Sequence, residues 1–255
     1  MQISPTHIGE TFDYTIKAYD IDAHKRATPL ALIRAMHEAA MQNVIRLGIS
    51  VWDLEPQNLA WVLMSKYVQF ERLPILGEKI QIVTQPSGFE KVFTYRDYKV
   101  LDEAGNTLLY SASTWLLMNT ESRRMTRIPE NIRSFKKEIP APEHCLPRCD
   151  VKFKKLEQID AMENIKVGWH DLDFNGHANN VQYVRWMLEP LGEVLKGQQL
   201  QRLEIQFRAE CRWQEILTSK VQKESDVSYL HQLSKEEKVL ALARTIWKEG
   251  LDVKK

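Results

Sequence analysis

The sequence predicts an α+β protein built from two copies of one unit, and two observations lead to this prediction. The first is an internal repeat, in which residues 19–38 align without gaps with residues 170–189 at an offset of 151. The second is a change of hydrophobic period within each half, from strand-like alternation to helical spacing and back again. Self-similarity at a fixed offset indicates a duplicated structural unit.

The repeat extends beyond its best-matched stretch. YVQFERLP (67–74) aligns with LEIQFRAEC (203–211) through a shared Gln-Phe pair, and ASTW (112–115) resembles ARTIW (243–247). One such match could arise by chance, but all three occur in the same order in both halves. The sequence therefore indicates duplication.

The first half begins with a predicted strand over residues 11–19, followed by a loop and one long helix. Thr28 is a suitable N-cap and Pro29 suits the first helical position, where a missing N–H has no cost. Gly48 is expected to end the helix. The predicted apolar face of the helix consists of Leu30, Ile33, Met36, Ala40, Val44 and Leu47.

The second half repeats this order, with a predicted strand over residues 164–170 and a helix capped by Asn179. Its predicted apolar face consists of Val181, Val184, Met187, Leu188 and Leu191. Strands joined by turns such as residues 103–106 follow each helix. One long helix followed by an antiparallel meander is the order of a hot-dog fold, so the sequence predicts a tandem hot-dog protein.

Domain boundaries follow from the same pattern. Residues 1–120 form the predicted N-terminal copy and residues 161–255 the C-terminal copy. Residues 121–160 show no clear periodicity and contain four prolines, so they are predicted to be a linker.

The composition excludes several classes of protein. The formal net charge of +1 gives no overall field for binding nucleic acid, and no stretch approaches the ~18 apolar residues of a membrane span. The N-terminal residues do not resemble a secretory signal. Three cysteines, Cys145, Cys149 and Cys211, fit a reducing compartment, and the first two form an isolated pair that is improbable as a zinc site. We expect a cytoplasmic protein with no metal.

The most distinctive motif is DFNGHANN (173–180), placed between a strand and a helix N-terminus. Asp173 can orient a histidine, Asn175 can donate to a carbonyl oxygen, and neutral His177 can accept a proton near pH 7. Gly176 permits a tight turn. The amides at the start of the helix suit an oxyanion. Asp, Asn and Gly are also typical of any loop before a helix, so turn chemistry remains the alternative.

The first copy keeps the pattern of this loop without its polar trio. Asp22, His24 and Arg26 occupy the positions of Asp173, Asn175 and His177. Two copies with one trio between them suggest one catalytic copy and one that shapes the pocket.

A second candidate lies at the end of the strand that contains LEIQFRAEC. Alternation places Glu210 on the polar face, where it is either catalytic or a solvated carboxylate, and the first copy has Leu73 at this position. Cys211 is more often a buried apolar residue than a nucleophile, although a Cys/His/Asn arrangement with His177 remains open.

At these motifs the chain resembles the acyl-ACP thioesterase family, which has bacterial and plant plastid members. The resemblance covers roughly residues 8–248 and rests on YDID with its helix, HDLDFNGHANNVQYVRWMLE and FRAEC. Gly176 stands where plant members often have Gln. The resemblance implies a double hot-dog fold with the acyl pocket largely in the first half, and no cofactor. It also implies catalytic roles for the residues Asp173, Asn175, His177 and Glu210, with Cys211 as a disputed neighbour.

The implied reaction is hydrolysis of fatty acyl-acyl carrier protein by water, with release of a free fatty acid. Because no plastid transit segment is recognised, a bacterial cytoplasmic enzyme is expected, and a homodimer is one of the oligomeric states left open. Three alternatives stay open: a hot-dog acyl-CoA thioesterase, a hot-dog dehydratase, and a non-catalytic acyl-binding protein.

The acidic carrier protein needs a basic surface on a nearly neutral enzyme. Residues 119–155 contain ten basic and five acidic side chains, a net charge of +5. Arg123, Arg124 and Arg127 are the candidate carrier-binding residues. Charge runs also occur in solvated linkers that bind nothing.

Overall fold

The computed structural model describes residues 7–148 and 152–250. The chain divides into two compact units, Met1–Cys149 and Asp150–Lys255. The first unit contains strands β1 (Glu10–Thr15), β2 (Leu59–Phe70), β3 (Lys79–Glu90), β4 (Phe93–Asp102) and β5 (Thr107–Asn119), and helices α1 (Pro29–Arg46), α2 (Val51–Leu54) and α3 (Glu130–Arg133). The second contains β6 (Ala161–Lys166), α4 (Asn180–Leu188), α5 (Glu193–Gly197), β7 (Gln198–Phe207), β8 (Ile216–Lys223), β9 (Ser228–Lys235) and β10 (Lys238–Glu249).

The two units have the same sheet topology. In the first, the strand order is β1-β3-β4-β5-β2, and every neighbouring pair is antiparallel. In the second, the corresponding order is β6-β8-β9-β10-β7, again antiparallel throughout. Helix α1 packs against β3 and β1, and α4 packs against β9 and β8. Each unit is therefore a hot-dog fold, as the sequence predicts.

The helix starts agree with the predicted caps. Thr28 Oγ1 accepts a hydrogen bond from Ala31 N at 3.1 Å, and Pro29 is the first residue of α1. Asn179 caps α4 by accepting from Val181 N at 2.9 Å. The α1 helix ends at Arg46, and Gly48 follows with a φ of +66°. No helix in the described part of the chain is long and apolar enough to cross a membrane.

The buried faces of the two helices differ in detail from the predicted stripes. In α1, Leu30 and Val44 are only half-buried, whereas the polar Asn43 is fully buried. Asn43 Oδ1 accepts from the buried Arg96 of β4, which explains why a polar side chain lies under the helix. In α4, Tyr183 and Trp186 join the predicted apolar residues in the core.

Two predicted strands are shorter than expected. The first strand ends at Thr15 rather than at residue 19, because Asp20 turns the chain by accepting from Lys17 N at 2.9 Å. The strand predicted over residues 164–170 likewise ends at Lys166, and a 3-10 turn covers Trp169–Asp171. Strand β7 ends at Phe207, so Glu210 lies in the loop that follows the strand.

Most of the predicted linker, residues 121–160, is folded onto the first unit. Ile128 and Ile132 are buried in a cluster with Leu54 and Leu117. Farther along, Leu146 N donates to the buried carboxylate of Asp97 at 2.7 Å. The sequence of this segment shows no helical periodicity, because α3 has only 4 residues. The unit boundary consequently falls after residue 149.

Candidate active site

The candidate site centres on the loop between residues 171 and 180 of the second unit. Asp173 Oδ1 accepts hydrogen bonds from Asn175 N at 2.8 Å and from His177 N at 3.3 Å. Asp173 N donates back to His177 O at 2.7 Å, and Gly176 adopts a φ of +72° at the turn. Asp173 therefore orients His177 through the backbone of the loop, which it closes.

Two further backbone hydrogen bonds fix this loop to its surroundings. Asn179 N donates to Asp171 O at 2.9 Å, which joins the two ends of the loop. Ala178 N donates to Cys211 O at 2.9 Å, which connects the loop to the segment after β7. The second contact brings together residues that are more than thirty positions apart in the chain.

The result is a contact between the two ionisable candidates. His177 Nε2 lies 3.4 Å from Glu210 Oε2, and the two side chains are 19% and 34% exposed. This separation is longer than the ~2.8 Å of a charge-assisted hydrogen bond, so the pair is in contact without being tightly closed. Partial exposure lets a water molecule or a substrate reach both groups, and the exposed Asn175 lies on the same loop.

Cys211 follows Glu210 but is in a different environment. It is 1% exposed, and burial raises the pKa of its thiol to about 11. A thiol with this pKa is protonated near neutral pH, whereas a nucleophilic cysteine must be an accessible thiolate. The buried thiol of Cys211 therefore lacks the properties of a nucleophile.

The first unit contains an equivalent loop with the same set of hydrogen bonds. Asp22 Oδ1 accepts from His24 N at 2.8 Å and from Arg26 N at 3.3 Å. Asp22 N donates to Arg26 O at 2.8 Å, Thr28 N to Asp20 O at 2.8 Å, and Ala27 N to Pro74 O at 2.7 Å. The backbone scaffold is therefore not specific to the second unit. The side chains that it presents are what differ.

One backbone position illustrates that difference. Lys25 has a φ of +60° where the second copy has Gly176. A non-glycine residue in this left-handed region costs about 1 kcal/mol. The Gly176 loop adopts the same turn without that strain.

Family models match both halves of the chain. Residues 10–135 match the acyl-ACP thioesterase N-terminal domain, and residues 154–249 match its C-terminal domain. The chain belongs to the acyl-ACP thioesterase family.

The chain is similar to curated plant proteins. One of them is the chloroplastic acyl-[acyl-carrier-protein] hydrolase FATB3 of Cuphea viscosissima. It is 30% identical over 92% of this chain and 61% of its own length. The chloroplastic palmitoyl-acyl carrier protein thioesterase of Arabidopsis thaliana is 30% identical over 81% of this chain and 53% of its own length. The chain thus spans between about half and three fifths of these relatives.

Solved structures support the fold of the family member. The 12:0-ACP thioesterase from Umbellularia californica superposes with a TM-score of 0.88 over 97% of this chain and 100% of that one, at 22% identity. A putative oleoyl thioesterase from Lactobacillus plantarum gives a TM-score of 0.84 over 96% and 97%, at 21% identity. The tandem hot-dog fold is confirmed.

The candidate carrier-binding arginines lie on an exposed turn of the first unit. Asn119 N donates to Arg124 O at 2.9 Å, and an isolated bridge joins Met118 to Met125, so the turn is held by its backbone. Arg123, Arg124 and Arg127 are all exposed. No cluster of metal-binding side chains occurs in residues 7–148 and 152–250, and Cys149 lies outside these described residues.

An aromatic pair beside the candidate site was not predicted from the sequence. Trp169 and Trp213 are exposed and form an edge-to-face contact with ring centroids 5.4 Å apart. They lie just before Asp171 and just after Cys211, at the two anchors of the loop. Exposed tryptophans carry no periodic signal, so only the folded chain shows the pairing.

Proposed function

We propose that this protein hydrolyses the thioester of fatty acyl-acyl carrier protein and releases a free fatty acid. The observation that carries the proposal is the contact between His177 Nε2 and Glu210 Oε2, above a loop closed by Asp173. The first copy has the same loop with Arg26 and Leu73 at these two positions. A proton-transfer pair occurs in one copy of a duplicated scaffold, as expected for one active site.

In the proposed reaction, His177 and Glu210 together bind a water molecule. His177 accepts one of its protons while the water oxygen attacks the thioester carbon. The carbon–sulfur bond of the tetrahedral intermediate then breaks, and the carrier thiolate leaves and takes up that proton. A thiolate is a good leaving group, so this step needs less acid catalysis than cleavage of an amide.

The developing oxyanion needs a donor on the same loop. At the start of α4, Val181 N and Gln182 N already donate to Asn179. Ala178 N and Asn179 N donate to Cys211 and Asp171. We assign the oxyanion to the exposed side-chain amide of Asn175, with the backbone amide of Asn180 at the start of α4 as the second donor, since N–H donors at a developing oxyanion stabilise the transition state.

The carrier specificity is part of the proposal. Acyl carrier proteins are acidic, and the exposed Arg123, Arg124 and Arg127 of the first unit are our candidates for binding them. Electrostatic complementarity of this kind mainly raises the association rate. We also propose a cytoplasmic location, because three cysteines are a sparse and odd count that fits a reducing compartment.

The test is release of free thiol from acyl-ACP by the pure protein. His177→Ala and Glu210→Ala should each lower kcat by ~10²-fold or more, the scale of a lost proton-transfer group. The matched control is His24→Ala, in the same loop of the first copy, which should remain active. A dehydratase would form an unsaturated thioester without free thiol, and a binding protein would form neither product. Near-normal activity of both active-site variants would sink the assignment.

A further inference from the structure

The phenol of Tyr183 contacts the residues on either side of Glu210. Tyr183 lies on α4, and its hydroxyl donates to Ala209 O at 3.1 Å. The hydroxyl also lies close enough to Cys211 to affect the pKa of its thiol. We propose that Tyr183 is a positioning residue, whose hydroxyl fixes the segment 208–211 so that Glu210 stays within reach of His177. This inference rests on the proposed function.

The ring of Tyr183 is itself held rigidly. It packs edge-to-face on Phe207 with ring centroids 5.6 Å apart, and against Trp186 at 5.8 Å. Phe207 is the last residue of β7, so the ring bridges the helix and the end of the strand. The hydroxyl consequently projects from a fixed ring to the place where the chain leaves the sheet.

The hydroxyl also keeps its proton. Tyr183 is 2% exposed, and burial strongly raises the pKa of its phenol. A buried hydroxyl without a partner would be costly, so its bond to Ala209 O restrains both groups. Loss of this bond would loosen the segment 208–211, which is otherwise held by backbone hydrogen bonds from Arg208 N and Ala209 N to Leu240 O and from Ala178 N to Cys211 O, and by side-chain contacts of Arg208 and Glu210.

Comparison of the two copies separates the common restraint from the added one. Both copies join the loop to the following segment by a backbone hydrogen bond, from Ala178 N to Cys211 O or from Ala27 N to Pro74 O. Only the second copy adds a side-chain hydroxyl, because Leu32 occupies the position of Tyr183. The added hydrogen bond therefore occurs in the copy that has the carboxylate of Glu210. The first copy has Leu73 at the position of Glu210 and lacks this hydroxyl.

The test compares Tyr183→Phe in the wild-type protein and in a Glu210→Gln background. Phenylalanine keeps the ring packing and removes only the hydroxyl. We expect kcat for acyl-ACP to fall about 10-fold with little change in KM, because misplacement of a catalytic group lowers turnover. In the Glu210→Gln background the same change should cost less than about 2-fold, since the residue it positions is already lost. Tyr229→Phe, a tyrosine of β9 that is 8% exposed, is the control and should leave kcat unchanged.

A second readout does not depend on turnover. Hydrogen exchange of the backbone amides of residues 208–211 should become several-fold faster in Tyr183→Phe and not in Tyr229→Phe. Equal losses of kcat in both backgrounds, or unchanged exchange, would show that Tyr183 is only a core residue. By contrast, full activity of Glu210→Gln and His177→Ala would contradict the proposed function. In that case the hydrogen-exchange result alone would show whether Tyr183 holds the segment 208–211 in place.

Discussion

A buried lysine in the first unit makes a measurable prediction about stability. Lys66, on β2, is 1% exposed, and its Nζ lies 4.3 Å from the centroid of the Tyr98 ring. Its Nζ has no hydrogen-bond partner among the described residues. Burial, with a smaller contribution from the charge of Arg96, lowers the pKa of Lys66 to about 7. The folded unit therefore disfavours the charged amine.

The size and sign of the effect follow from this pKa. The ordinary value is 10.5, and one unit corresponds to ~1.4 kcal/mol, so burial of the charged form costs about 4 to 5 kcal/mol. Above pH 10.5 the amine is neutral in both the folded and unfolded states, and the cost is absent. Between pH 10.5 and 7 the unfolded chain binds the proton and the folded unit does not, so stability falls as pH falls. Below pH 7 the full cost applies.

Lys66→Met removes the charge and keeps an unbranched chain of similar length. Urea unfolding of both proteins should show that the variant is more stable at pH 6 by about 4 kcal/mol. That advantage should shrink steadily between pH 7 and 10. Lys79→Met, at an exposed position of β3, is the control and should show no such pH dependence. If Lys66→Met is less stable than the wild type at pH 6, or if the difference does not change with pH, the reasoning is refuted.

Three further predictions concern the proposed site and the carrier. Cys211→Ala should keep substantial activity, because burial raises the pKa of the thiol and keeps it protonated. Detection of an acyl group on Cys211 by mass spectrometry would contradict this prediction. Asp22→Asn should alter the melting temperature or the substrate preference more than kcat, and a loss as large as that of His177→Ala in a folded protein would place catalysis in the first copy. Charge reversal of Arg123, Arg124 and Arg127 should lower kcat/KM for acyl-ACP at low salt, because electrostatic steering raises the association rate. It should leave kcat/KM for a short acyl-pantetheine unchanged. Equal losses on both substrates would exclude these residues as the binding site for the carrier.

Local chemistry explains what could be predicted from the sequence. The start of a helix depends on a few neighbouring residues. The first turn of α1 could therefore be predicted from Thr28 and Pro29, and that of α4 from Asn179. The turn that closes the candidate loop is also local, because Asp173 bonds to amides only two and four residues away. The duplication was visible because equivalent loops need an aspartate at the same position.

Features that depend on distant parts of the chain were missed or only partly predicted. Alternation extended the strand before Glu210 by three residues, whereas β7 ends at Phe207. The segment 121–148 has no clear periodic signal, yet Ile128 and Ile132 are buried in the core of the first unit. Asp97 is fully buried, because Leu146 N and Ser87 Oγ donate to its carboxylate, and Leu146 lies 49 residues away in the chain.

The sequence by itself determined the duplication, the helix starts and the polar side chains of one loop, since each of these depends on residues close together in the chain. Only the tertiary structure decided which distant groups meet. It brought Glu210 to within 3.4 Å of His177, buried the thiol of Cys211, and directed the hydroxyl of Tyr183 to Ala209. The physical reason is that burial and long-range hydrogen bonds are properties of the packed sheet and helix, which no single segment specifies.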